Sequence, residues 1–209
     1  WSDSVEAGTG LRVAVNISGR HLQQGDLVAD VRHALKASGL DAANLVIELT
    51  ESTIMQNTEV NLERFRELKA LGVRLAIDDF GMGYSSLSYL HRFPIDILKI
   101  DRAFVSRLTE HDGGPELARA VVMLATTLGL ETVAEGIENE NQVETLLDLG
   151  CVAGQGFLFA SSSPLDVVAQ TPFMARRAEL RAAERGAQAD LTATGRFRAA
   201  ELWPRSAAG

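Results

Sequence analysis

A single cysteine, Cys151, stands in 209 residues, so no internal disulfide forms and no thiolate cluster is available for zinc. Four histidines, at positions 21, 33, 91 and 111, are scattered without the helical spacing that sets two imidazoles on one metal. No apolar run reaches the roughly 18 residues that a membrane span needs. The longest, Ala118 to Leu130, is interrupted by Arg119 and two threonines. Positive charge is also short. The formal net charge is -8, and seven arginines against four acids after residue 174 leave -11 on the first 174 residues. An acidic body lacks the basic face that nucleic acid requires. It suits carboxylates gathered around metal ions, although ordinary solubility charge has the same sign. With 46% hydrophobic and 23% charged residues, disorder and collagen-like repeats are excluded.

The chain opens on Trp1 rather than Met and has no signal-like segment, so the expectation is a piece of a longer chain in the cytosol, with no transmembrane segment of its own. Two regions are expected. Residues 1–174 read as one domain. Residues 175–209 read as a basic Ala/Arg-rich tail, helical from Phe173 to Arg185 and then without periodicity.

Through the body, short β-branched runs alternate with helical patterns. The expected strands are Arg12–Ile17, Leu45–Leu49, Arg74–Asp78, Ile97–Ile100, Thr132–Ala134 and Gly154–Phe159. The expected helices are Asp26–Ser38, Glu59–Leu71, Ser85–Arg92, Glu116–Leu128 and Glu140–Leu149. Gly39, Gly72, Gly129 and Gly150 each follow a helix end. Such alternation implies parallel strands joined by helical crossovers, in either an open doubly wound sheet or a closed barrel. Polar residues at the strand ends favour the barrel: Asn16, Glu48, Asp78 with Asp79, Lys99 with Asp101, Glu135 and Gln155. In a barrel these ends meet at one mouth, whereas an open sheet spreads them along a line about 5 Å per strand. The expected fold is α/β, a (β/α)8 TIM-like barrel with about six of its eight strand–helix units present.

Asn16, Glu48 and Asp78 offer only oxygen, which suits Mg²⁺ or Mn²⁺ rather than zinc. Asp79 beside Asp78 allows two neighbouring ions, an arrangement suited to hydrolysing a phosphate ester. Lys99 supplies a cation for phosphate, Glu135 a ligand or proton acceptor, and Gln155 both donor and acceptor. Two residues on from Lys99, Asp101 shares its strand face and is placed to orient it. The same residues also suit barrels in which the lysine removes a proton next to a carboxylate, or in which it forms a Schiff base. Spacing leaves these three chemistries open.

The strings are more specific. Val15-Asn16-Ile17-Ser18, Glu48-Leu49-Thr50-Glu51-Ser52, Asp78-Asp79-Phe80-Gly81-Met82-Gly83-Tyr84-Ser85-Ser86-Leu87, Leu98-Lys99-Ile100-Asp101-Arg102-Ala103-Phe104-Val105, Ala134-Glu135-Gly136-Ile137-Glu138 and Gln155-Gly156-Phe157-Leu158-Phe159 follow in that order. Together, from about Val13 to Pro164, they resemble the EAL domain, the bacterial cyclic-di-GMP phosphodiesterase family. The resemblance implies a modified (β/α)8 barrel that hydrolyses cyclic di-GMP to linear pGpG with two Mg²⁺ or Mn²⁺ ions. By position it implies Asn16, Glu48, Asp78, Asp79 and Glu135 as metal ligands, with Glu135 and Lys99 as the catalytic pair. Asp101, Glu138 and Gln155 would support them, and Glu51 would steady the loop after the Asp-Asp pair. The implied partners are cyclic di-GMP, a second copy through the Phe80–Ser86 loop, and an upstream sensory or cyclase domain, the whole being either cytoplasmic or part of a larger membrane-tethered protein.

Three positions depart from the family pattern. No Glu-Ala-Leu string occurs, although its glutamate is a metal ligand in the family; Met82 stands in a threonine position; and Ala160-Ser161-Ser162-Ser163-Pro164 lacks the usual basic residue. A degenerate EAL domain that binds cyclic di-GMP or a protein without hydrolysis is the alternative.

Overall fold

The computed structural model describes residues 12–56, 58–81, 90–108, 114–151 and 153–161. Six parallel strands pair strictly in chain order: β1 (Val13–Asn16), β2 (Leu45–Thr50), β3 (Arg74–Phe80), β4 (Ile97–Ile100), β5 (Glu131–Ala134) and β6 (Ala153–Gly154). A doubly wound sheet reverses its strand order partway; this one never does. Helices α1 (Gly19–Gln24), α2 (Leu27–Ser38), α3 (Glu51–Met55), α4 (Thr58–Ala70), α5 (Arg102–Val105), α6 (Gly114–Thr127) and α7 (Glu140–Asp148) fill the connections among the described residues.

Strand periodicity sorts side chains onto two faces. One parity gives Ile47, Leu49, Leu75, Ile77, Leu98 and Ile100, all at most 1% exposed, packed with helix residues such as Phe65, Leu68 and Val122 into the main core. Burying each such side chain contributes about 1.5–3 kcal/mol. The other parity gives a separate small cluster of Val46, Ala76 and Ile97, with Val133 against it. This inner face is layered. Below the apolar layer, at the N-terminal ends of the strands, Arg12 Nη1 and Arg74 Nη2 each lie 2.8 Å from a different oxygen of Glu131. Above it, at the C-terminal ends, lie Glu48, Asp78, Lys99 and Glu135.

The Arg12–Glu131 bond establishes the curl. In a flat sheet β1 and β5 stand four strand spacings apart, about 19 Å, which these two side chains do not span. The sheet therefore wraps into an incomplete barrel, with Arg12, Arg74 and Glu131 at its lower end and a polar rim at the C-terminal ends of its strands.

The ends of the elements are set by local chemistry. Asp26 caps α2 by accepting the Ala29 N–H at 3.0 Å. Asn139 and Gln142 form a reciprocal capping box on α7. Gly39, Gly72, Gly129 and Gly150 all take positive φ, as their places after helices require. Buried Asn61 on α4 donates to the Thr53 and Ile54 carbonyls, satisfying the end of α3. No helix among the described residues is long and apolar enough to cross a membrane.

The last strand is shorter than its apolar run suggests. Gly154–Phe159 is not a strand throughout: pairing stops at Gly154, and Phe159 N–H bonds back to Gly156 O at 3.1 Å in a turn. A Cβ on Gly156 would lie 2.2 Å from the backbone of Ile137, so the chain passes too close to the β5–α7 loop for a side chain. Helices α1, α3 and α5 are too short to show a periodic pattern. Most of the expected helix Ser85–Arg92, Met82, Pro164 and the 175–209 tail lie outside the described residues.

Candidate active site

Lys99 lies at the centre of the polar rim. It points inward from β4, with its side chain 4% exposed. Its Nζ donates to Glu48 Oε2 at 2.8 Å, lies 3.1 Å from Asp78 Oδ1, and is bonded to Glu135 Oε1. Gln155 Nε2 donates to the same Glu135 oxygen at 2.9 Å. Groups from β2, β3, β4 and the residues after β5 and β6 thus meet in one place. Asn16 joins them through register, as it pairs with Glu48 along β1–β2.

Asp78 and Asp79 need an irregular strand. Strict alternation would send Asp79 to the helix side. Instead Asp79 takes φ 54°, and the β3–β4 register shifts between Ile77 and Phe80. An aspartate tolerates this left-handed conformation better than most residues. Asp79 thereby stays on the rim, where it shares a hydrogen bond with Asp101.

Asp101 differs from its expected role. Its Oδ1 accepts the Ala103 N–H at 2.7 Å and caps α5, and its side chain shares a hydrogen bond with Asp79 rather than with Lys99. The two residues share a parity, but β4 ends at Ile100 and the chain turns into a helix. Glu51, 4% exposed, accepts the Gly81 N–H at 3.1 Å and ties α3 to the start of the loop after Asp79. Of the Phe80–Ser86 loop, only Phe80 and Gly81 are described. Glu138 pairs with Arg102 at 2.6 Å.

The electrostatics follow from this packing. Burial alone would lower the Lys99 pKa, but hydrogen bonds to Glu135 and Glu48 raise it well above the ordinary lysine range. Glu135 is raised by burial, and by the charges of Asp78 and Glu48, against the pull of Lys99. Asp79 is raised by partial burial, by the Asp78 charge and by the bond to Asp101.

Among the described residues, no three His, Cys, Asp or Glu side chains form a ready-made metal cluster. The carboxylates stand around the ammonium at hydrogen-bond distance, wider than the about 2.0–2.1 Å shell of Mg²⁺. Their chemistry nevertheless fits a hard divalent ion: oxygen donors only, three carboxylates aimed at one point, and a single lysine charge against them.

An open pocket of ≈ 440 Å³ adjoins Glu135 and Gln155, walled by Arg102, Glu138, Gly156 and Phe157. Phe157 is 66% exposed there. Arg102 and Phe157 were not among the sequence candidates. The available signal was their place within the strings that run from Leu98 to Val105 and from Gln155 to Phe159.

Comparison with known proteins agrees with this geometry. The family model for the EAL domain matches residues 1–162. Cyclic di-GMP phosphodiesterase NbdA of Pseudomonas aeruginosa is 44% identical over 155 residues, covering 74% of this chain and 20% of that protein. The solved Pseudomonas aeruginosa structure described as PaMucR phosphodiesterase in complex with c-di-GMP superposes with TM-score 0.72 at 43% identity, covering 75% of this chain and 64% of that one. The Klebsiella pneumoniae BlrP1 manganese and cy-diGMP complex gives TM-score 0.65 at 33% identity, covering 70% of this chain and 38% of that one. The chain spans roughly a fifth to a quarter of the length of the curated relatives it matches.

Proposed function

The chain belongs to the EAL domain family, and from that membership we propose that it carries the working face of a phosphodiesterase that hydrolyses cyclic di-GMP to linear pGpG with Mg²⁺ or Mn²⁺. The observation that carries this reading is the meeting of Glu48, Asp78, Glu135 and Gln155 around Lys99 at the C-terminal rim of the barrel, the side where barrel active sites lie.

In this reading Asn16, Glu48, Asp78, Asp79 and Glu135 hold the divalent ions. Once bound, such ions supply Lewis acidity toward the phosphate and a water of lowered pKa. The protein's own groups do the rest. Glu135, bonded to Lys99 and Gln155 at the rim, is the carboxylate placed to accept a proton. Gln155 fixes its orientation through one oxygen and leaves the other free for that proton. Lys99 supplies positive charge where a phosphate gains negative charge. Membership of the EAL family, with relatives named as cyclic di-GMP phosphodiesterases, disfavours the two other lysine chemistries. The exposed Phe157 ring offers a stacking surface for a base of the dinucleotide. Glu51 steadies the loop that follows Asp79 through the Gly81 amide. Pairing with a second copy through that loop and a cytoplasmic setting belong to the same proposal.

The test is product analysis of cyclic di-GMP incubated with Mn²⁺ and a longer chain that carries a Glu-Ala-Leu segment ahead of Val13, for the wild type and Asp78→Asn; residues 1–209 alone, without that glutamate, are expected to show little or no turnover. Formation of pGpG by the wild type, with loss of about 10³-fold or more in the variant, is the expected result. Wild-type binding of the nucleotide without any pGpG would select the non-hydrolysing alternative.

A further inference from the structure

Lys99 is ringed by carboxylates. Its ammonium is hydrogen-bonded to Glu48 and Glu135 and ion-paired with Asp78 at 3.1 Å. The side chain is 4% exposed, so water does not compete for that ammonium. The three carboxylates are the same groups to which the divalent-ion reading above assigns the metal, and this inference rests on that reading.

A carboxylate oxygen that faces an ammonium about 2.8 Å away does not at the same time face a divalent ion at about 2.0–2.1 Å. Two cations that close also repel, with little water between them to screen the charge. We propose that Lys99 is a built-in competitor for the divalent cation: ion entry displaces the ammonium from Glu48 and Asp78 and turns its charge toward the substrate side of the rim.

Two consequences follow from the charges alone. Without an ion, three carboxylates against one ammonium leave a local charge of about -2, and the ammonium is what makes their close approach tolerable. With an ion, that role passes to the metal. Lys99 therefore stabilises the ion-free domain and weakens ion binding. A purely positioning lysine would do the reverse for the ion, because it would hold the ligands ready.

The experiment uses the full chain with Mn²⁺ as the probe. Free Mn²⁺ is counted by electron paramagnetic resonance during titration, and melting is followed with chelator and with Mn²⁺. For Lys99→Met the expected results are an Mn²⁺ dissociation constant at least about tenfold lower than wild type and a melting temperature in chelator lower by about 5 °C or more, recovered by Mn²⁺. Lys99→Arg keeps the positive charge and is expected to bind Mn²⁺ more weakly than Lys99→Met. A Lys99→Met chain that folds only when Mn²⁺ is added also supports exchange, since the ion then does the work of the ammonium. Equal or weaker Mn²⁺ binding by folded Lys99→Met, or a failure to fold even with Mn²⁺, overturns the proposal. If neither the wild type nor Lys99→Met binds Mn²⁺, the divalent-ion reading itself falls, and this inference with it. That outcome is distinct from tight wild-type binding with the wrong response to the substitution.

Discussion

At Glu135, burial and the neighbouring charges of Asp78 and Glu48 raise the carboxyl while Lys99 lowers it, and the upward push prevails. Glu135→Gln keeps the shape and the hydrogen bond from Gln155 but loses the proton acceptor. In an intact domain that includes a Glu-Ala-Leu segment, its kcat for cyclic di-GMP is expected to fall by about 10²-fold or more, with a melting temperature close to wild type. Preserved kcat with a large loss of melting temperature would assign Glu135 to structure instead. The rim was largely legible in the sequence, because Asn16, Glu48, Asp78, Lys99 and Glu135 each close an apolar run. Asp101 was misjudged because parity counts only while a strand continues, and capping of α5 interrupts it. The position of Asp79 depends on a left-handed φ and a register shift, neither of which has a signature in residue order.

Among the elements, the long helices were readable from their periodicity and from glycines placed just past their ends. The short ones were not, because a single turn carries no period. Helix α7 shows how much its first residue matters. Asn139 accepts the Gln142 N–H at 3.1 Å while the Gln142 side chain accepts the Asn139 and Glu138 N–H groups. The Gln142 amide also donates to Val105 O at 3.2 Å, joining α7 to α5. Asn139→Ala removes one half of the box and is expected to destabilise the domain by about 1 kcal/mol. A shift in urea midpoint without a change in slope is the measurement that checks it. Strand β6 was overestimated because Phe157, Leu158 and Phe159 look like a buried run, whereas two of the three rings or chains, Phe157 and Phe159, are exposed.

For the whole molecule, stability and chemistry occupy opposite ends of one bore. Glu131 closes the lower end between Arg12 and Arg74. Burial alone would raise its pKa, but the hydrogen bonds from Arg12 and Arg74 and their charges lower it below the ordinary glutamate value. A depressed carboxyl contributes stability that is present above the unfolded pKa and is lost as pH falls through the folded one. Glu131→Gln is therefore expected to destabilise the domain by about 1 kcal/mol at pH 7, a modest figure because solvent screens a pair that is only partly buried. The difference from wild type should vanish in acid below the folded pKa. Denaturation midpoints across that range check the sign, and a gap that persists in acid would refute the ionic account. The strictly sequential strand order has a further consequence for synthesis. Each strand emerging from the ribosome finds its partner already made, so the sheet can grow in one direction with short loops to close. The bond from Arg12 to Glu131 spans 119 positions and cannot form until the fifth strand has emerged. At roughly 5–20 residues per second, Arg12 waits on the order of ten seconds for its partner. The curl of the sheet is thus secured late, by a contact between one of the first described residues to be made and one made long after it.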